Sequence, residues 1–243
     1  MAERLPDFLV LGTQKGGTTT LQQLLIQHPG VCLAPGKEVH YFSKHWDQPA
    51  AWYASHYADA APDQRCGDIT PFYLFHPQAP KRIHSLLPNA QLIVLLRDPV
   101  ERALSQYFHS VRLRFETLPL EDALAAEEER LSTGKLQHLQ EHSYVSRSRY
   151  LEKLDRYLEL FPGRQLLVLQ SETLFADPTA TWRQIEAFLD LPQAPCPAAA
   201  PKANAGQGEA RAVTAGIRRD LRRQLEATAL GVRERFGFGW DWA

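Results

Sequence analysis

Nine consecutive residues near the start of the chain have the types that bind an anion: Gly12-Thr13-Gln14-Lys15-Gly16-Gly17-Thr18-Thr19-Thr20. Glycines let the backbone turn tightly with its N–H groups pointing inward, and a helix that begins directly afterwards adds the positive end of its dipole. Lys15 and three threonine hydroxyls stand ready to contact a phosphate there. The loop also departs from that of a nucleotide triphosphatase, which reads G-x-x-x-x-G-K-[ST]. Gly12 and Gly17 have the right separation, but Thr18 stands where that lysine belongs, and the lysine sits before the glycine pair instead. Further along, an apolar run ends in Arg97, where such enzymes commonly place a magnesium-binding aspartate. Asp98 reads as a helix cap. A donor with a less charged transferable group than a magnesium-bound triphosphate fits better.

The elements that must position these residues are legible in outline. Phe8 to Leu11 is a short buried strand stopped by Gly12, and Thr18 to His28 carries Leu21, Leu24 and Leu25 at helical spacing until Pro29-Gly30. Residues 77–87 form a helix stopped by Pro88-Asn89. Leu92 to Leu96 is the clearest strand, followed by Asp98 as N-cap, Pro99 at the first helical position and a helix through about Val111. Residues 119–130 read as one helix with Glu127-Glu128-Glu129 on its solvated face. Leu151, Leu154, Leu158 and Phe161 mark another helix, Leu166 to Leu169 a third buried strand, and Trp182, Ile185 and Leu189 a helix after Asp177-Pro178. Ile217, Leu221 and Leu225 mark a late helix. Strands alternating with helices predict an α/β fold, a parallel sheet covered on both faces. Arg97 then stands at the C-terminal end of a strand, where open α/β sheets bind ligands.

Bulk properties restrict the partners. Lysines and arginines number 27 against 28 acidic residues, for a net charge of −1, so binding that lives on nucleic-acid backbone contacts is not expected. Cys32, Cys66 and Cys196 have no metal-ligand spacing, and their odd number suits reduced thiols. Met1 to Leu11 carries Glu3 and Asp7 and lacks the apolar core of a signal peptide, and no apolar run exceeds strand length. A cytoplasmic protein without a membrane span is expected, one domain over 1–243, with the Ala-, Pro- and Gly-rich residues 192–211 as a mobile loop. Monomer and homodimer both fit.

Gln14-Lys15-Gly16-Gly17-Thr18 resembles the 5′-phosphosulfate loop of sulfotransferases that use 3′-phosphoadenosine 5′-phosphosulfate (PAPS). Leu96-Arg97-Asp98-Pro99-Val100-Glu101-Arg102-Ala103-Leu104-Ser105 is similar to their 3′-phosphate motif. Lys37-Glu38-Val39-His40-Tyr41-Phe42, Asp68-Ile69-Thr70-Pro71-Phe72-Tyr73 and Trp240-Asp241-Trp242 resemble segments of the heparan-sulfate branch and its bacterial relatives. One position departs: glucosaminyl members commonly carry a lysine just before the Thr-Pro pair, and here it is Ile69.

The resemblance implies a P-loop-NTPase-like three-layer αβα fold, PAPS as co-substrate, 3′-phosphoadenosine 5′-phosphate (PAP) as product, and no metal. Gln14, Lys15, Gly16, Gly17, Thr18 and Thr19 would hold the 5′ end of the donor, with Lys15 against the leaving phosphate. Arg97 and Ser105 would hold the 3′-phosphate, and Lys202, Asn204 and Arg211 would either close over the nucleotide or be ordinary surface charge. Glu38 would be the general base. His40, two residues on, shares a face with it if the segment is extended, and would orient the acceptor or share the proton. Arg102 pairs with Glu101 or with the ligand. Tyr73 and Tyr150, and the aromatics Trp46, Trp52, Tyr53 and Tyr57, either line the site or pack in the core. His28, His45, His56 and His138 are read as structural. The acceptor is a small molecule, carbohydrate or lipid bearing a hydroxyl or amine. A small-molecule kinase and a non-catalytic nucleotide-binding protein are the competing readings.

Overall fold

The computed structural model describes residues 4–198 and 208–242. The chain divides into two compact units, Met1–Leu96 with Asp155–Ala203, and Arg97–Leu154 with Asn204–Ala243. The helix over Tyr150–Leu158 belongs in part to each.

The first unit holds a five-stranded, all-parallel sheet: β1 (Phe8–Gly12), β2 (Val31–Leu33), β3 (Arg65–Ile69), β4 (Gln91–Leu96) and β5 (Leu166–Gln170), in the order β2-β3-β1-β4-β5. The runs Phe8–Gly12 and Leu92–Leu96 are buried at every position, as strands covered on both faces must be. Phe8, Val10, Ile93 and Leu95 pack with Leu21, Leu24 and Leu25 of α1 (Thr18–Leu25), and with Trp182, Ile185 and Leu189 in and just beyond the helix over Pro178–Phe188. Asp177 caps that helix, accepting from the Ala180 N–H. The strand order reverses direction about β1, so the C-terminal ends of β1 and β4 flank the crevice that open α/β sheets use for ligands.

Two strands are additions to the three expected from sequence. β2 spans three residues, and β3 (Arg-Cys-Gly-Asp-Ile) carries a charge, a glycine and an aspartate, so neither shows the apolar run that marks a buried strand. Their pairing also places Cys32 opposite Cys66; both thiols are free.

In the second unit, the helix over Pro99–Arg112 begins as expected: the Asp98 carboxylate accepts from the N–H groups of Val100 (2.8 Å) and Glu101 (3.0 Å). Its Val100 and Leu104 pack with Val145, Leu221 and Leu225, the last two from the helix over Ala215–Phe236. The expected single helix over 119–130 is two, Leu120–Ala125 and Glu127–Ser132. Glu127 is not on a solvated face. It is buried, and its two carboxylate oxygens accept the N–H groups of Val145 and Ser146, each at 2.8 Å, at the start of a four-residue helix. Arg102 does not pair with Glu101: it is fully buried, donates to Ser148 Oγ (2.6 Å) and to the Tyr144 carbonyl, and leaves Glu101 to Arg218.

The expected mobile loop is only partly described. Ala194 is fixed between Glu186 and Trp182, and Glu209–Ala212 forms a short 3₁₀ turn. Lys202 and Asn204 lie outside the described residues.

Candidate functional site

The glycine-rich loop leaves the end of β1 and is pinned within the first unit on three sides. The Thr13 N–H donates to the Leu95 carbonyl of β4 (2.9 Å), the Gly16 N–H to the Thr13 carbonyl (2.9 Å), and Ser171 Oγ to the Gly16 carbonyl (2.5 Å). A side chain at Gly16 would bring a Cβ within 2.8 Å of the Leu95 carbonyl oxygen. Gly17 has φ of 93° and a ring edge of Phe175 where a Cβ would go, so two of the loop's glycines are there for space and for backbone sign. Ser171 and Phe175 stand some 155 residues downstream of the loop; nothing in their local sequence marks them as its support.

Gly17 is the N-cap of α1 and supplies no side-chain cap; the first turn of α1 contains no acidic residue. The amide end of the helix is therefore presented at the loop, with the half-buried Gln14 and Lys15 just before it. Lys37 comes to the same place, and its part there is a finding of the structure. Its Nζ donates to Thr18 Oγ1 (3.0 Å) and Thr19 Oγ1 (3.2 Å).

Glu38 and His40 meet, Glu38 Oε2 lying 3.1 Å from His40 Nε2. The reason differs from the one expected. The segment is not an extended strand: His40 has φ of 58°, and its carbonyl accepts from the N–H groups of Ser43, Lys44 and His45, starting a helical turn. The other ring nitrogen, Nδ1, is 2.9 Å from Ser43 Oγ. A left-handed residue reverses the chain and folds the imidazole back onto the carboxylate.

The hold on this segment comes from Asp68, which is fully buried at the end of β3. Asp68 Oδ2 accepts from the hydroxyls of Tyr53 (2.8 Å) and Tyr73 (2.9 Å), and Oδ1 from Thr70 (2.7 Å). Thr70 Oγ1 in turn accepts the His40 N–H, and the Tyr73 hydroxyl accepts the Phe42 N–H, each at 3.4 Å. Burial pushes the Asp68 carboxyl up, and the Thr70, Tyr53 and Tyr73 hydroxyls with nearby His40 oppose the shift. Tyr73 is thus core rather than lining. Of the other aromatics, Tyr53 and Tyr57 are buried, whereas Trp46 and Trp52 are half-buried around Tyr41, with the Arg82 guanidinium 5.6 Å from the Trp46 ring. Asp68→Ala strands three hydroxyls at once, so unfolding in urea should show a loss of about 2–4 kcal/mol. A loss under about 0.5 kcal/mol, the size of an ordinary surface change, would show that the hub is not a support.

The histidines read as structural have ordinary partners. His28 accepts the Gly30 N–H at Nδ1 (2.9 Å) and has Nε2 3.1 Å from the Pro192 carbonyl; His56 contacts the Trp52 carbonyl and His138 that of Arg130. His45 packs against Trp52.

In the second unit the Arg97-to-Ser105 motif is anchored through its backbone and cap. The Tyr150 hydroxyl donates to the Arg97 carbonyl (2.8 Å), and the Trp242 indole N–H to Asp98 Oδ2 (2.6 Å). Tyr150 is therefore a buried support, and the C-terminal tryptophan motif braces the turn that carries Arg97. Arg97 and Ser105 are half-buried, and Arg211 is exposed on the 3₁₀ turn that Arg112 and Arg218 tie down.

A profile of the sulfotransferase domain matches residues 5–201. The chain belongs to the sulfotransferase domain family. Mouse heparan sulfate glucosamine 3-O-sulfotransferase 6 is 35% identical over 188 residues, covering 77% of this chain and 53% of that protein. The membrane-associated sulfotransferase kil1 of Dictyostelium discoideum is 28% identical over 265 residues, covering 77% and 56%. This sulfotransferase domain spans about half the length of the curated relatives it matches. Among solved structures, a sulfotransferase from Alicyclobacillus acidocaldarius superposes with a TM-score of 0.81 at 26% identity, covering 98% of both chains. Mouse sulfotransferase SULT7A1, solved with PAP, shares the fold at a TM-score of 0.56 and 14% identity, over 93% of this chain and 85% of that one. Among the described residues no helix is long and apolar enough to cross a membrane, and no three His, Cys, Asp or Glu side chains form a metal-binding group.

Proposed function

We propose that this sulfotransferase domain, acting as one functional domain over 1–243, moves the sulfuryl group of PAPS to an acceptor hydroxyl or amine by in-line displacement. The observation that supports the reading is the bond from Lys37 to Thr18 and Thr19, because it ties the residue next to Glu38 to the start of α1, directly after the donor loop. Glu38 takes the acceptor proton as the acceptor atom forms its bond to sulfur. The bond from sulfur to the bridging oxygen breaks, and its electron pair stays on the 5′-phosphate of PAP. Lys15 and the amide end of α1 stabilise that charge where it develops. His40 orients Glu38 through the 3.1 Å contact. Arg97 and Ser105 hold the 3′-phosphate by charge-assisted hydrogen bonds, and Arg211 contacts the nucleotide.

Small molecules, carbohydrates and lipids are the acceptor classes. Relatives named for heparan sulfate glucosamine 3-O-sulfation make a sugar hydroxyl the first to test. The odd number and wide spacing of Cys32, Cys66 and Cys196 support a reducing, cytoplasmic setting.

Thermal melting with PAP, against ATP plus magnesium, tests the donor assignment. PAP at a hundred times its Kd should raise the Tm by roughly 5–10 °C, since it binds only the folded chain. Arg97→Ala should remove most of the shift. Stabilisation by ATP with magnesium alone would replace this reading with that of a kinase, and tight PAP binding without turnover on any acceptor with that of a nucleotide-binding protein.

A further inference from the structure

Lys37 is placed against the usual electrostatic rule. A helix N-terminus carries the positive end of the dipole and favours anions, and a cation there is disfavoured. The Lys37 ammonium nonetheless sits on the hydroxyls of Thr18 and Thr19, the first two residues of α1, two and three positions beyond the Gly16 that follows Lys15. No acidic residue in that first turn offsets it. Among the described residues Lys37 forms no salt bridge, the adjacent Glu38 being paired to His40. Burial holds the Lys37 ammonium down to about 8, the charge of Glu38 acting in the opposite direction. Two of its three protons go to neutral hydroxyls, and the third remains for another acceptor. Lys37 lines a small recess with Gly67 and Ile69.

A positively charged side chain, a helix N-terminus and Lys15 converging on one turn form a stable arrangement once an anion sits among them. We propose that Lys37 is a second cation of the donor's 5′ subsite, donating its remaining proton to the oxygens of the 5′-phosphosulfate. The proposal rests on the sulfotransferase reading above and assigns to this chain a donor contact additional to Lys15. Glu38 and Lys37 then divide the work of one short segment, the first facing the acceptor and the second the donor.

Calorimetric titration with PAP and with adenosine 3′-monophosphate, which lacks the 5′ group, separates the possibilities. Lys37→Gln should weaken PAP by about 10- to 100-fold, the range for a hydrogen bond to a charged group, and leave adenosine 3′-monophosphate within twofold. Lys37→Arg should recover part of the PAP affinity, and the unliganded Tm of both variants confirms that they fold. Equal affinity of wild type and Lys37→Gln for PAP overturns the proposal, as does an equal loss for both ligands, the mark of a purely structural lysine. A wild type that binds neither ligand removes the sulfotransferase reading itself.

Discussion

Glu38→Gln is expected to lower kcat by about 10²- to 10⁴-fold, the contribution of a positioned general base, with PAP affinity unchanged within twofold. The amide has the shape of the carboxylate and still accepts a hydrogen bond from His40, which lies 3.1 Å away. It has no capacity to take the acceptor proton. The hub of Asp68, Thr70 and Tyr73 fixes the segment through backbone N–H groups of His40 and Phe42 and is untouched by the change. A loss of turnover with an intact PAP-induced Tm shift therefore isolates proton removal from folding and donor binding. The measurement is steady-state turnover of PAPS with the best acceptor from a screen. A variant within threefold of wild type would remove Glu38 from the chemistry and direct attention to His40.

The second large effect is expected at Lys15. Lys15→Met should lower kcat by about 10²- to 10³-fold, the range for deleting one preorganised donor at a site of developing charge. Lys15 has φ of 70°, and it precedes a glycine that approaches the Leu95 carbonyl and another with φ of 93°. Methionine meets the same backbone demand as lysine, so the loop is retained and the charge is lost. Because PAP carries the full charge of the leaving phosphate, its affinity should fall as well. That pattern, a loss in both kcat and product binding, differs from the Glu38→Gln pattern of kcat alone. Unchanged turnover in Lys15→Met would mean that the α1 amides, with Lys37, suffice for the leaving group.

Local sequence dictates some elements of this chain and not others. The glycine loop, the Arg97 strand end and the Asp98–Pro99 helix start are dictated by neighbours within a few residues, through backbone sign, proline and side-chain capping, and they stand where the sequence puts them. β3 was hidden because burial there is of Asp68, whose cost is met by three hydroxyls from Tyr53, Thr70 and Tyr73, and no local pattern announces such a partner set. Glu127 shows the same thing: three glutamates in a row look solvated, yet one of them receives two amides from residues 18 and 19 positions away.

The chain's residue types and their order thus determine by themselves a glycine-lysine anion loop, an arginine at a strand end and a carboxylate two residues from an imidazole. Only the tertiary structure decided that Glu38 and His40 touch, because that depends on a left-handed turn at His40 held by Thr70 from another element. It likewise decided that Lys37, and not only Lys15, stands at the start of α1, and that Ser171 and Phe175 close the loop from far along the chain. Local geometry follows from the sterics of adjacent residues, whereas the site's contacts join residues as much as 155 positions apart and arise from packing that no short window contains.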